Sequence, residues 1–362
     1  LKRASGLWTG RLFTVRDTEI ETRVKAMMTT ASAAIDRDPV EIAISLHESA
    51  VACYAEGDIR QAESLFRRSL AMLKAAEGSN SPDVAAILND LAAIYEDRCD
   101  YRRAERYYRR AVKIIASDIS DDRDIQRLRI NSLGNLGRIH RTQGRYQQAE
   151  LLFFDARKVA HQVFGSDSLE MAGVLNNLGM LYKYMARFDE AEPLYHRALA
   201  ILEIQLETDH PDIASIYHNL GGLEHARGRY AKGEPYARRS VELREQALGA
   251  DHPDVAADIA ALAALLDGQG KYDEAEPLYC RALEIFARVY GTEHYEIAVN
   301  LNNLAAIHQV RGDYREAERL YCRALEIKEK LFGADNIDVA LTANNLALLY
   351  KETGRYTEAE QL

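Results

Sequence analysis

A chain of 362 residues has the length of two or three globular domains, although a regular internal repeat can spend the same length on one elongated body. Hydrophobic residues make up 47% and charged ones 28%, which excludes wholesale disorder; 46 Lys+Arg against 56 Asp+Glu leave a formal net charge of −10, which disfavours nucleic acid as a bulk partner. No run of about eighteen apolar residues and no basic-then-apolar opening occurs, so neither a membrane span nor a signal peptide is predicted, and a soluble, cytoplasmic protein is the expectation.

In chain order, residues 1–38 form a non-repeat segment with the only Trp, Trp8, and Phe13; residues 19–35 are read as a capping helix. From 39 to 362 the string G-x-[YF]-x-x-A-E recurs eight times, in places degraded, with its terminal Glu at 63, 105, 150, 192, 234, 276, 318 and 360. The first unit, with Ser49-Ala50-Val51-Ala52 where others carry Leu-Ala, departs from the rest as a terminal cap would. One spacing is 45 residues and all others are 42, which places a three-residue insertion within 117–126. Leu362 falls early in the second helix of the eighth unit and the first residue is not Met, so a longer protein is expected.

Residues 295–333 show what one period contains. Apolar residues recur at helical spacing up to Val310, stop at Arg311-Gly312-Asp313, and resume from Tyr314 to Phe332. Each unit is thus two helices joined by a Gly-centred turn. Connections such as Asp251-His252-Pro253-Asp254 supply start signals, with Pro253 at a first helical position and Asp254 in the positive first turn. Two helices cannot bury both their faces alone, so the units must stack into an all-α solenoid.

The pattern resembles the tetratricopeptide repeat in its long, kinesin-light-chain-like form. The strings that carry the resemblance are NNLAAIHQVRGDYREAERLYCRALEI from Asn302 to Ile327, NNLGMLYKYMARFDEAEPLYHRALAI from Asn176 to Ile201, and the connections at 209 and 251. It implies a right-handed superhelix of helix-turn-helix repeats and a non-catalytic scaffold or adaptor, with first helices lining a concave surface. Kinesin light chains carry an N-terminal coiled coil; residues 1–38 show no heptads, so a kinesin role is not supported.

Leu91, Leu136, Leu178, Leu220, Leu262, Leu304 and Leu346 hold one equivalent core site in the first helices, and Tyr101, Tyr146, Phe188, Tyr230, Tyr272, Tyr314 and Tyr356 mark the second helices entering the core. The residue before the core Leu is Asn at Asn135, Asn177, Asn219, Asn303 and Asn345; Ala260 and Ala261 interrupt the series. An amide donates and accepts at once, so such a series suits an extended peptide backbone. Bonding of each Asn to a neighbouring repeat is the alternative. Tyr184 lies on the same stripe.

Charge is uneven, because residues 98–165 carry fifteen Lys+Arg and eight Asp+Glu, net +7, against −17 elsewhere. Arg138 on the stripe, with Arg141 and Lys183 near its edge, would attract an acidic peptide segment, as the resemblance implies. Arg102, Arg103, Arg106, Arg109 and Arg110 belong to a second helix and equally fit a basic outer face. His210 and His252 read as helix caps, His140 and His308 as hydrogen-bonded packing residues, and Glu224 as an unexplained polar residue at a core site. Cys53, Cys99, Cys280 and Cys322 read as reduced apolar fillers. No phosphate loop, metal motif or nucleophile pairing is found, so no cofactor or metal is expected. The expected partner is a peptide or protein, with self-association through the repeat ends a further expectation. The alternative is the sensor arm of a larger signalling ATPase or protease.

Overall fold

The computed structural model describes residues 38–55, 57–117, 120–207 and 209–362. The expected capping helix at 19–35, with Trp8 and Phe13, lies outside them. The described residues fall into two compact units, 38–201 and 202–362. The first contains α1 (Pro39–Ala55), α2 (Ile59–Ala76), α3 (Pro82–Asp97), α4 (Tyr101–Ala116), α5 (Arg123–Thr142), α6 (Tyr146–Val163), α7 (Leu169–Tyr184) and most of α8 (Phe188–Gln205). The second contains α9 (Pro211–Ala226), α10 (Tyr230–Leu248), α11 (Pro253–Gly268), α12 (Tyr272–Tyr290), α13 (Tyr295–Val310), α14 (Tyr314–Phe332), α15 (Ile337–Glu352) and the short α16 (Tyr356–Ala359). Among the described residues every regular element is a helix.

The turn inside each pair works by one backbone conformation. Gly57, Gly144, Gly228, Gly270, Gly312 and Gly354 have φ between 71° and 86°, the left-handed region that glycine enters without a steric penalty. Cys99 and Ala186 hold the same position at φ 58°, so the turn survives substitution there at the expense of strain. The hydrogen bond from Asp313 N to His308 O, 2.9 Å, closes one such turn, and its equivalent from Arg355 N to Tyr350 O measures 2.8 Å. Caps start the helices: the ring nitrogens of His210 and His252 accept from Asp212 N (3.2 Å) and Asp254 N (3.1 Å), with Pro211 and Pro253 at the first helical positions. The insertion after Ser117 is taken up in α5, which has 20 residues where α3 and α7 have 16.

Within each unit, consecutive helices pack as pairs and each pair packs on the next; α3, α5 and α7 also touch one another, as do α9, α11 and α13. That second set of contacts places the first helices on the inner side of each stack. All seven equivalent leucines are buried. The aromatic series at the start of the second helices is a correction: these rings are half-buried, and Tyr314 and Tyr356 are 42% and 63% exposed. The deep aromatic ring comes seven residues later, at Tyr108, Phe153, Tyr195, Tyr279 and Tyr321. Those rings explain the small residue after the core leucine, since a Cβ at Gly137 would lie 2.6 Å from Phe153 and one at Gly179 would lie 2.8 Å from Tyr195.

The glutamate that ends each string joins repeats. Glu63 accepts from Tyr95 Oη at 2.8 Å and Arg98 at 2.6 Å; Glu318 accepts from Tyr350 at 3.0 Å and Arg355 at 2.7 Å. Arg145 to Glu105, Arg187 to Glu150, Lys271 to Glu234 and Arg311 to Glu276 repeat the contact. In each case the cation comes from the next unit. Glu224, at a core site, is 1% exposed and held by Arg227 at 2.8 Å, with Lys232 at 3.5 Å. His140 is buried as expected but makes no hydrogen bond, its ring nitrogen standing 3.7 Å from Glu105. Cys99 and Cys280 are exposed and therefore not core fillers.

Candidate peptide-binding face

Helices α5 and α7 are neighbours on the inner side of the first unit. Asn131, Asn135 and Arg138 from α5 line one cleft with Glu170, Gly173 and Asn177 from α7. The two helices approach closely at Gly134, where a Cβ would stand in ordinary contact, 3.4 Å, with the Asn177 amide nitrogen. Asn135 and Asn177 are half-buried.

The three cations of this face differ in what they meet. Arg138 is buried, and its guanidinium donates to Glu96 of α3 at 2.7 Å, with the Tyr108 hydroxyl at 3.4 Å. Its charge is therefore balanced within the protein. Arg141, one helical turn on, is only 6% exposed; Nη1 has no hydrogen-bond partner and no carboxylate of the described residues pairs with it. Its guanidinium carbon lies 5.1 Å from the centroid of the Tyr184 ring, and the Lys183 ammonium lies 5.8 Å from the same ring. The Tyr195 hydroxyl, fully buried, also has no hydrogen-bond partner. Burial lowers the pKa of both Arg141 and Lys183 and holds the Tyr195 phenol well above its ordinary value. Chemically this is a desolvated positive site with a hydroxyl beside it and no counter-ion.

The basic stretch resolves into two parts. Arg102, Arg103, Arg106, Arg109 and Arg110 are exposed on α4, with Arg110 bonded to Asn80 at 2.8 Å and Arg103 paired with Asp100 at 3.3 Å. Arg138 and Arg141 lie inside. In the second unit Asn219 is buried, Asn303 is half-buried, and Asn345 donates to Asn302 at 3.0 Å, a bond between adjacent first helices. Asn89 makes a similar bond to Ser132 at 2.7 Å. Two polar residues drew no attention in the sequence, the buried Tyr195 of the first unit and Asp267 on α11 of the second. Both follow from one position, five residues after each core leucine: Glu96, Arg141, Lys183, His225, Asp267, Gln309 and Lys351. Tyr195 lies twelve residues beyond its member of that series, Lys183.

Among the described residues no group of three or more His, Cys, Asp or Glu could hold a metal ion, and no helix is long and apolar enough to cross a membrane.

Paired helices at this period, with first helices lining an inner face, define a class of interaction repeat. The tetratricopeptide repeat profile matches residues 41–117, 128–204, 170–237, 212–288, 260–330 and 296–362, and the chain belongs to that family, in its kinesin-light-chain-like form. Among solved structures the chain is similar to BtubC (BKLC) from P. vanneervenii, 26% identical over 60% of this chain and 87% of that one, with a TM-score of 0.50. It is also similar to RapI in its apo form (15% identity, 80% and 98% covered, TM-score 0.58). A signal transduction ATPase with a tetratricopeptide repeat sensor from Pyrococcus horikoshii matches at 11% identity over 94% of this chain and 50% of that one, TM-score 0.58. The last two likenesses concern the fold alone. Comparison with curated proteins yields no match. A repeat fold of this family is a protein-interaction scaffold.

Proposed function

We propose that the chain is a non-catalytic adaptor whose inner face at α5 and α7 binds an acidic peptide segment of a partner protein. Arg141 and Lys183 receive its carboxylates, Tyr184 supplies the apolar wall between them, and Asn135 and Asn177 hold the peptide backbone. The observation that carries this reading is the buried Arg141 guanidinium, which meets an aromatic ring and no carboxylate. A buried cation without an anion is costly, and an incoming carboxylate supplies what the fold leaves out. Neutral Asn side chains beside it read backbone rather than sequence, so the charge position sets specificity.

The test is an immobilised set of peptides containing Asp, Glu and an aromatic residue, each paired with its Asn/Gln counterpart. Wild-type chain is expected to prefer the acidic member. Arg141→Gln with Lys183→Gln is expected to lose that preference, and Asn135→Ala with Asn177→Ala to weaken both members alike. Equal retention of acidic and amide peptides by the wild type would sink the assignment.

A further inference from the structure

In two repeats the deep tyrosine is tied to the residue twelve positions before it. Tyr108 donates to Glu96 at 3.1 Å, and Tyr321 donates to Gln309 at 3.1 Å. Tyr279 and Asp267 hold the same two positions, and there the bond is missing. The Tyr279 hydroxyl is fully buried and makes no hydrogen bond of normal geometry; the side chain of Asn303, on the adjacent α13, is the one polar group of the described residues near enough to act on it as a weak hydrogen-bond partner. Aspartate is one methylene shorter than Glu or Gln, so its carboxylate stops short of the hydroxyl that its longer counterparts reach.

Asp267 is left with no partner as well. It forms no ion pair with a described residue, and burial alone pushes its carboxyl up to about 6. Its negative charge acts on the hydroxyls of both Tyr279 and Tyr321. Nearby, Glu352 accepts from Gln309 at 2.8 Å, and it too has no cation among the described residues. This part of the second unit therefore gathers a desolvated carboxylate, a buried phenol oxygen and an amide, and among the described residues no cation pairs with Asp267 or Glu352.

We propose that Asp267, Tyr279 and Asn303 form a recognition site for a cationic side chain, a lysine ammonium or arginine guanidinium, entering from the inner face of the 202–362 unit. A lysine head has three donors and no acceptor, which matches a carboxylate, a phenol oxygen and an amide oxygen. Such bonds are charge-assisted, the stronger kind. The feature is local to this repeat: of the two acidic residues at this position, Glu96 is bonded to Arg138 and Tyr108, whereas Asp267 pairs with no cation among the described residues. The site stands on different residues from the acidic-peptide reading and does not depend on it.

The test uses the full chain with 3-fluorotyrosine at position 279 and the probes N-acetyl-lysine methylamide, N-acetyl-arginine methylamide and the neutral N-acetyl-norleucine methylamide. A saturable ¹⁹F shift with a cationic probe and none with norleucine is expected, weakened at least tenfold by Asp267→Asn. Asn303→Ala, at a half-buried position, is expected to weaken it several-fold and serves if Asp267→Asn fails to fold. Arg141→Gln is expected to leave the shift unchanged, which separates this site from the one on the first unit. No saturable shift with either cation, an equal response to norleucine, or undiminished binding in the folded variants would overturn the proposal.

Discussion

Arg141 meets the face of Tyr184 at 5.1 Å, and that contact stands where a buried arginine ordinarily has a carboxylate. A cation over an aromatic ring is worth about 2 kcal/mol when desolvated, whereas taking the charge out of water costs several. The net effect of Arg141 on the folded state is therefore expected to be destabilising, as the proposed role in recognition requires. Arg141→Met, of similar length and apolar, is expected to raise stability by about 1–3 kcal/mol while removing the preference for acidic peptides. Thermal unfolding followed by circular dichroism reads the first effect. A variant that melts below the wild type would mean that Arg141 serves packing and not a ligand.

Glu63 carries the opposite sign. It is nearly buried and joins Tyr95 and Arg98 of the next repeat, with Arg67 at 2.7 Å from its own helix. Glu63→Ala leaves three donors short of their shared acceptor and is expected to cost about 2–4 kcal/mol, against about 1–2 kcal/mol for Tyr95→Phe, which removes the bond to Glu63 and the one accepted from Arg67 at 2.6 Å but leaves the carboxylate its two arginines. Urea unfolding compares the two. Equal losses would show that Tyr95, and not the carboxylate, carries the junction.

The same junction gives a pH dependence. Bonds from Lys271, then Gln269, and the charge of Arg238 hold the Glu234 carboxyl down at about 2, below its ordinary 4.5. A carboxyl depressed in the folded state contributes stability that is complete above the unfolded value, and this contribution is lost as pH falls through the folded value. Acidification from about pH 4.5 toward 2 is thus expected to destabilise the wild type more steeply than Glu234→Gln. Melting curves at intervals across that range check it, and parallel curves for the two proteins would remove Glu234 from the acid response.

Much of this was legible in the sequence because the relevant forces are local. The 42-residue period, the Gly-centred turns and the His and Pro caps depend on residues within a few positions of one another, and each appears in the structure where its residues stand. Partners one repeat away were not legible. The eight string glutamates were visible as a marker, but that Arg355 reaches Glu318 across 37 residues depends on how units stack. The same applies to Arg138 and Arg141, three residues apart on one helix: Glu96 of the preceding repeat reaches one and not the other. The start-of-helix aromatics drew attention as a periodic series, while the deeper ring has Phe153 in place of Tyr and Ala237 interrupting it, which hides its regularity.

Asp267 offers the last prediction, and its sign is the reverse of Glu234. Burial raises its carboxyl from the ordinary 3.8 to about 6, so between those values the folded protein binds a proton that the unfolded chain has released. Stability therefore falls as pH rises from about 4 to about 6 and is level above that, as far as this group is concerned. Asp267→Asn lacks the ionisation, so its stability relative to the wild type is expected to grow across that interval. A bound lysine probe favours the ionised form, and at pH 7 it is expected to raise the melting temperature of the wild type and leave Asp267→Asn unchanged. Measured together, the two responses separate a carboxylate that is merely desolvated from one that is desolvated for a cation. The first gives the pH slope without the probe effect, and the second gives both.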